Sequence, residues 1–183
     1  MKNFLLFGLL LFPPVLTAQT TAQIESWNDI VGGKVVPQLD AYVTHKSSER
    51  LGSFAWFLTG QYWSEAYAGM ELYPKKWMAV NMGVGLETDK NPWRIGGSVW
   101  MGSQKQSLLT VLETGGSGFW WRSIYNRKFW KNFGIGAIGQ AQRGAGPRVQ
   151  FDIPKTPIKV WAADFFNWNG KPTQAVGVVY SFN

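Results

Sequence analysis

Few side chains in this sequence could do chemistry, and their spacing limits what that chemistry is. The single histidine stands in His45-Lys46-Ser47-Ser48. A histidine beside a serine suggests general-base activation of a hydroxyl. No carboxylate evidently orients the ring, so a polar turn is the better reading. Glu65, Glu71 and Glu87 share a predicted strand face. Glycoside hydrolysis would need two such carboxylates about 5–9 Å apart with an open approach. Spacing does not identify that pair, and structural ion pairs with Arg94, Arg122 and Arg148 are the simpler expectation. Cysteine is absent, which excludes disulfides and thiolate sites. One histidine without cysteine makes no transition-metal set, so no metal is predicted. The Gly83-Val84-Gly85-Leu86-Glu87 run lacks the helix that a phosphate-binding loop requires. No cofactor is predicted.

The remaining candidates are aromatic and ionic. Alternation puts Trp77, Trp100, Trp120 and Trp161 on the same kind of face as Arg122 and Arg148. Together they suggest a slot for an acyl chain or a sugar. Bulky filling opposite small residues explains the tryptophans more simply. Glu87 closes one predicted strand and Arg94 opens the next, while Asp152 and Lys159 flank the 153–158 connection. Residues opposed across a hairpin have Cβ atoms about 4.5–5.5 Å apart, so both couples are predicted as inward ion pairs.

These positions must be carried by strands. Helical periodicity is nearly absent, and period-2 alternation recurs every ten to fourteen residues between turn sequences, the mark of an all-β meander. The clearest strands are 77–87, 93–102 and 147–153. In the first, Met78, Val80, Met82, Val84 and Leu86 share a face. Further strands are predicted at 34–44, 53–61, 65–73, 106–114, 118–126, 132–142, 157–166 and 173–182. The links include Asp89-Lys90-Asn91-Pro92, Gly115-Gly116-Ser117-Gly118 and Gly144-Ala145-Gly146. Eleven segments result, an odd number that a single-chain bacterial barrel does not use. Because apolar residues stay on even positions from Phe54 to Leu72, 53–73 reads as one long strand. The count is then ten. Leaving 34–44 outside the ladder would also give ten, and one more strand in 23–32 would give twelve; eight and twelve strands are the alternatives. Residues 19–33 form an N-terminal segment that would equally suit a short helix, with Gly32-Gly33 as its stop.

One face of each strand is bulky and apolar, and the other holds Gly, Ala, Ser, Asn, Gln and charges. That opposite face would make a poor soluble core. It suits the polar lumen of a barrel whose exterior meets lipid. The fold expected is an antiparallel up-and-down transmembrane β-barrel over residues 34–183. The ends agree. Lys2, the apolar run from Phe4 to Phe12, Pro13-Pro14 and Leu16-Thr17-Ala18 have the layout of a secretory signal peptide over 1–18. The run is shorter than the roughly 20 residues a spanning helix needs. The last strand alternates Val176, Val178, Tyr180 and Phe182 against Ala175, Gly177 and Ser181, with Val179 the apolar exception.

That terminal pattern, with the alternation before it, resembles the small bacterial outer-membrane β-barrel proteins. The resemblance implies export to the outer membrane, contact with its lipids, and recognition of Tyr180 and Phe182 by the barrel-assembly machinery. The formal charge of +7 is scattered near turns rather than along a basic helix, so lipid headgroups are expected and nucleic acid is not. Barrel enzymes that acylate or deacylate lipid A use His and Ser, which makes such an enzyme a distant third reading for His45. The leading expectation is a structural or interaction barrel without enzyme activity. The second is a narrow pore or a carrier of a small hydrophobic molecule.

Overall fold

The computed structural model describes residues 19–167 and 172–182; the predicted signal peptide lies outside them. Twelve strands follow one another: β1 Gln19–Val31, β2 Lys34–Lys46, β3 Leu51–Gly60, β4 Ser64–Lys75, β5 Met78–Glu87, β6 Trp93–Gly102, β7 Gln106–Gly115, β8 Gly118–Lys128, β9 Phe133–Gln140, β10 Gly144–Asp152, β11 Ile158–Phe165 and β12 Thr173–Phe182. Each pairs antiparallel with its neighbour in sequence, and β1 pairs with β12 to close the barrel. Closure satisfies every strand edge, which a sheet in lipid requires.

The ten-strand expectation is corrected to twelve, for two local reasons. The first is the segment before residue 34. It is neither a helix nor outside the barrel, which begins at Gln19. Gly32 and Gly33 both take positive φ, 56° and 79°, and Val31 pairs with Lys34. The two glycines predicted to stop a helix are instead the central pair of a tight hairpin turn, where positive φ at both positions matches strand twist. The second is the break at 61–63 between β3 and β4. Thr59 pairs with Ser64, so both point the same way although one number is odd and the other even. The hairpin therefore exchanges parity. Phe54, Trp56 and Leu58 face the lumen, whereas Ala66, Ala68, Met70 and Leu72 face outward. An unbroken run of even apolar positions spans two different faces. A smaller correction concerns Gly144-Ala145-Gly146: these residues open β10, and the turn is 141–143, where Gln142 has φ 68°.

Elsewhere the predicted faces stand. Met82, Val84 and Leu86 are 69%, 68% and 64% exposed, alternating with the lumen-facing Gly83 and Glu87. On β12, Val176, Val178, Tyr180 and Phe182 are outward, and Ala175 and Val179 are buried within. All acidic residues except Glu49, Asp89 and Asp164 project inward. The basic excess sits in the loops and at the strand ends.

The interior is unevenly filled. Trp27, Trp161 and Phe165 pack with Ala163, Ala175, Ile138 and Val179 on the side of β1, β9, β11 and β12. Trp27 meets Trp161 edge-on at 4.9 Å between ring centroids. Trp161 lies over its cross-strand partner Gly177, where an added Cβ would overlap the indole. Gly177→Ala is expected to destabilise the barrel by about 1–3 kcal/mol through overpacking. Urea unfolding from lipid vesicles measures it, and an unchanged midpoint would show that the indole is free to move.

Candidate functional site

The lumen residues form two cavities joined end to end. The larger, about 590 Å³, opens toward the rim where β1 begins and β12 ends. The smaller, about 340 Å³, opens toward the opposite rim. Glu113, Trp120 and Arg122 border both and so mark the level of the partition.

Arg122 makes that partition. It projects inward from the middle of β8, beside Gln140 of β9, to which its Nε donates at 3.1 Å. Its Nη1 lies 3.8 Å from Asp40 Oδ2 on β2. In the closed strand order β2 and β8 are diametrically opposed, so this ion pair crosses the full lumen. The guanidinium also lies over Trp27, 4.3 Å from the ring centroid, and beside Trp120 at 5.1 Å, distances at which a cation is attracted to the ring face. Trp56 Nε1 donates to Asp40 Oδ1 at 2.6 Å, which fixes the acidic end.

Above the partition, Arg94 on β6 is held among carboxylates. Its Nη1 donates to Glu87 at 2.6 Å and its Nη2 to Glu113 at 3.0 Å, while Glu65 is 3.6 Å from Nε. Tyr67 Oη accepts from Nε at 2.5 Å, and Ser117 Oγ from Nη1. Arg94 and Glu87 form the expected ion pair, but not through the expected register: Arg94 stands opposite Gly85, and Glu87 reaches it diagonally from two residues nearer the turn. Glu65 is among the carboxylates expected to meet these arginines; Glu113 is brought there by the fold alone. Tyr67 touches Arg94 across β5 because Gly85 lies between them in the ladder. Arg143, in the loop after β9, pairs with Asp29. Burial, with Arg122 nearby, pushes its guanidinium below the ordinary value, and Asp29 opposes that shift.

The larger cavity is unevenly charged. Glu25, Asp40 and Glu71 line it from β1, β2 and β4, with Lys46 and Lys76 at the rim on that side, Glu113 from β7, and Arg122, Arg148 and Lys159 from β8, β10 and β11. Glu71 accepts from Tyr42 at 3.2 Å and from Tyr73 at 2.6 Å. Arg148 donates to Asn126 at 2.5 Å and to Gln150 at 2.9 Å, and lies over Trp161. Asn126 is two strands away, reached across Gly136 of β9.

The other predicted residues divide. Trp100 and Trp120 line the larger cavity. Trp161 is buried filling whose Nε1 donates to Glu25 at 2.5 Å. Trp77 is a correction: it stands in the turn before Met78 and is 52% exposed, so its parity does not place it in the wall. Asp152 and Lys159 are register partners, but the Asp152 carboxylate forms its ion pair with Lys128 Nζ at 2.9 Å. Gly134, the partner of Lys128 on β9, leaves room for that reach. Lys159 faces the cavity instead. His45 points outward, with Nδ1 3.1 Å from the Thr20 hydroxyl. Tyr180 and Phe182 are outward neighbours, 4.4 Å between ring centroids. Among the described residues no group of three or more His, Asp or Glu could hold a metal ion.

Sequence reasoning missed Asp40, Trp27 and Trp56. A signal was present in each hairpin, since paired residues share a face and parity must be recounted after every turn.

Neither a protein-family model nor a curated protein sequence matches the chain. Solved structures do. The KdgM porin superposes with a TM-score of 0.61 at 14% identity, covering 88% of this chain and 99% of that one. The NanC porin gives 0.53 at 10% identity, covering 86% and 98%. Omp33 of Acinetobacter baumannii gives 0.52 at 8%, covering 90% and 98%. The chain shares the closed antiparallel β-barrel fold of these outer-membrane porins, here with twelve strands.

Proposed function

We propose that this protein is a narrow diffusion channel of the bacterial outer membrane for small polar solutes, with the Arg122–Asp40 pair as its constriction. One observation carries the reading: two cavities, of about 590 and 340 Å³, enter the barrel from opposite rims and meet at a single side-chain layer. A barrel with a purely structural role has no need of two aligned vestibules. Charged walls suit polar solutes better than a hydrophobic cargo. The similar KdgM and NanC structures are porins rather than enzymes, which supports the same reading. In this proposal the outward Tyr180–Phe182 pair serves insertion by the assembly machinery, and the basic loops meet lipid headgroups.

The crossbar can yield because its two ends come from opposite walls, and a rearranged arginine opens the lumen without breaking a strand pair. The test is conductance in planar lipid bilayers. Arg122→Ala is expected to conduct at least about twofold more than the native barrel, because a charged constriction sets the rate of passage. Asp40→Asn, which keeps the side-chain size, is expected to conduct more as well. If the native protein and both variants, each shown folded by heat-modifiable gel migration, conduct nothing, the channel reading is wrong.

A further inference from the structure

The larger vestibule is polarised across its width. Below the rim its carboxylates Glu25, Asp40 and Glu71 come from β1 to β4 and its cations Arg122, Arg148 and Lys159 from β8 to β11; Lys46 and Lys76 stand at the rim on the carboxylate side, and Glu113 of β7 is held by Arg94. Two of these couples are diametrically opposed, since β2 faces β8 and β4 faces β10 in the closed order. Asp40 and Arg122 neutralise each other across the lumen. Glu71 and Arg148 do not. Both are 5% exposed, and each is held by neutral partners on its own wall: two tyrosines for Glu71, Asn126 and Gln150 for Arg148. The Arg148 Nε, buried, has no hydrogen-bond partner. Fixed opposite charges on facing walls of a low-dielectric tube create a field directed across it.

We propose that this vestibule selects zwitterionic solutes whose ammonium and carboxylate are separated, such as short peptides or ω-amino acids; the inference rests on the channel reading. The ammonium end turns toward Glu71 and the aromatic rings of Tyr42 and Trp56, where a cation is also attracted to ring faces; the Tyr73 ring is already occupied by Lys46 Nζ at 4.7 Å. The carboxylate end turns toward the positive side formed by Arg148 and Lys159. Past the rim lysines, a polyanion would meet like charge at Asp40 and Glu71, and a polycation at Arg122, Arg148 and Lys159. This chemistry differs from that of oligogalacturonate, a chain of sugar carboxylates, with which the KdgM porin forms a complex.

Liposomes holding the full barrel, first shown to conduct in potassium chloride, test it by swelling in three solutes of equal length: 6-aminohexanoate, adipate and 1,6-diaminohexane. The zwitterion is expected to enter about threefold faster than either of the others, given opposed charges of this kind. Two variants that keep side-chain hydrogen bonding should split the preference. Glu71→Gln should favour adipate over the diamine, and Arg148→Gln the diamine over adipate. Lys159→Gln, which removes no buried hydrogen-bond partner, should shift in the same direction as Arg148→Gln and guards against misfolding of that variant. Conductance with equal entry of all three solutes, or with faster adipate entry, overturns this inference and leaves the channel standing. Absence of conductance overturns both.

Discussion

Arg94→Ala is expected to cost about 3–5 kcal/mol, the range for removing one partner from a buried ion pair. The size follows from what remains. Glu87, Glu113 and Glu65 are 6%, 3% and 6% exposed, and all three converge on this guanidinium. Without it, three carboxylates face one another, and the Tyr67 hydroxyl and the Ser117 loop lose the group they orient around. Removing Glu87 as well should recover part of the loss, since one of the three unpaired charges goes with it. The recovery is partial because Glu113 and Glu65 stay. Urea-unfolding equilibria in lipid vesicles for the two single variants and the double variant measure the coupling. Additive costs, or a cost for Arg94→Ala below about 1 kcal/mol as for an exposed pair, would show that water in the lumen screens the cluster.

Met82→Arg is expected to cost about 2–4 kcal/mol, the range for arginine on the lipid face of a barrel near the midplane. Met82 sits mid-way along β5, with Met70 and Gly97 beside it on the neighbouring strands and a 69% exposed side chain. Neither ladder neighbour, Met70 or Gly97, offers a partner for a charge there. An arginine at the adjacent Gly83 would fail differently. Its Cβ would fall 2.8 Å from Phe54 Cζ and 2.6 Å from the Ala68 carbonyl oxygen, so the lumen is overfilled. A cysteine scan separates the two environments. Met78, Val80, Met82, Val84 and Leu86 should react with a membrane-soluble probe, and Ala79, Asn81, Gly83 and Gly85 should not. Labelling of the odd positions would reverse the face of β5.

Much of the architecture is legible in the residues themselves, for a physical reason. Alternation is a property of one strand, and a hairpin pairs residues close in sequence. The lipid face of β5, the two faces of β12 and the Glu87–Arg94 pair all follow from such local rules. Errors begin where two local rules give the same pattern. Gly32-Gly33 suits a helix stop and a hairpin turn alike, and only pairing of Val31 with Lys34 separates them. Even-numbered apolar residues from 54 to 72 look like one face until the turn at 61–63 exchanges parity.

The site lies beyond local rules altogether. Arg122 and Asp40 meet because twelve strands, and not ten, set β8 opposite β2. Strand number, tilt and stagger are linked in a closed barrel, so a change in count would turn each lumen side chain toward a different partner. Lys128 reaches Asp152 from two strands away, and Arg148 reaches Asn126 across Gly136 of β9. Composition and alternation determined that the chain would be a barrel with charges inside it. Closure decided which charges cancel and which remain facing one another, because a contact across the lumen joins residues that no turn and no hairpin brings together.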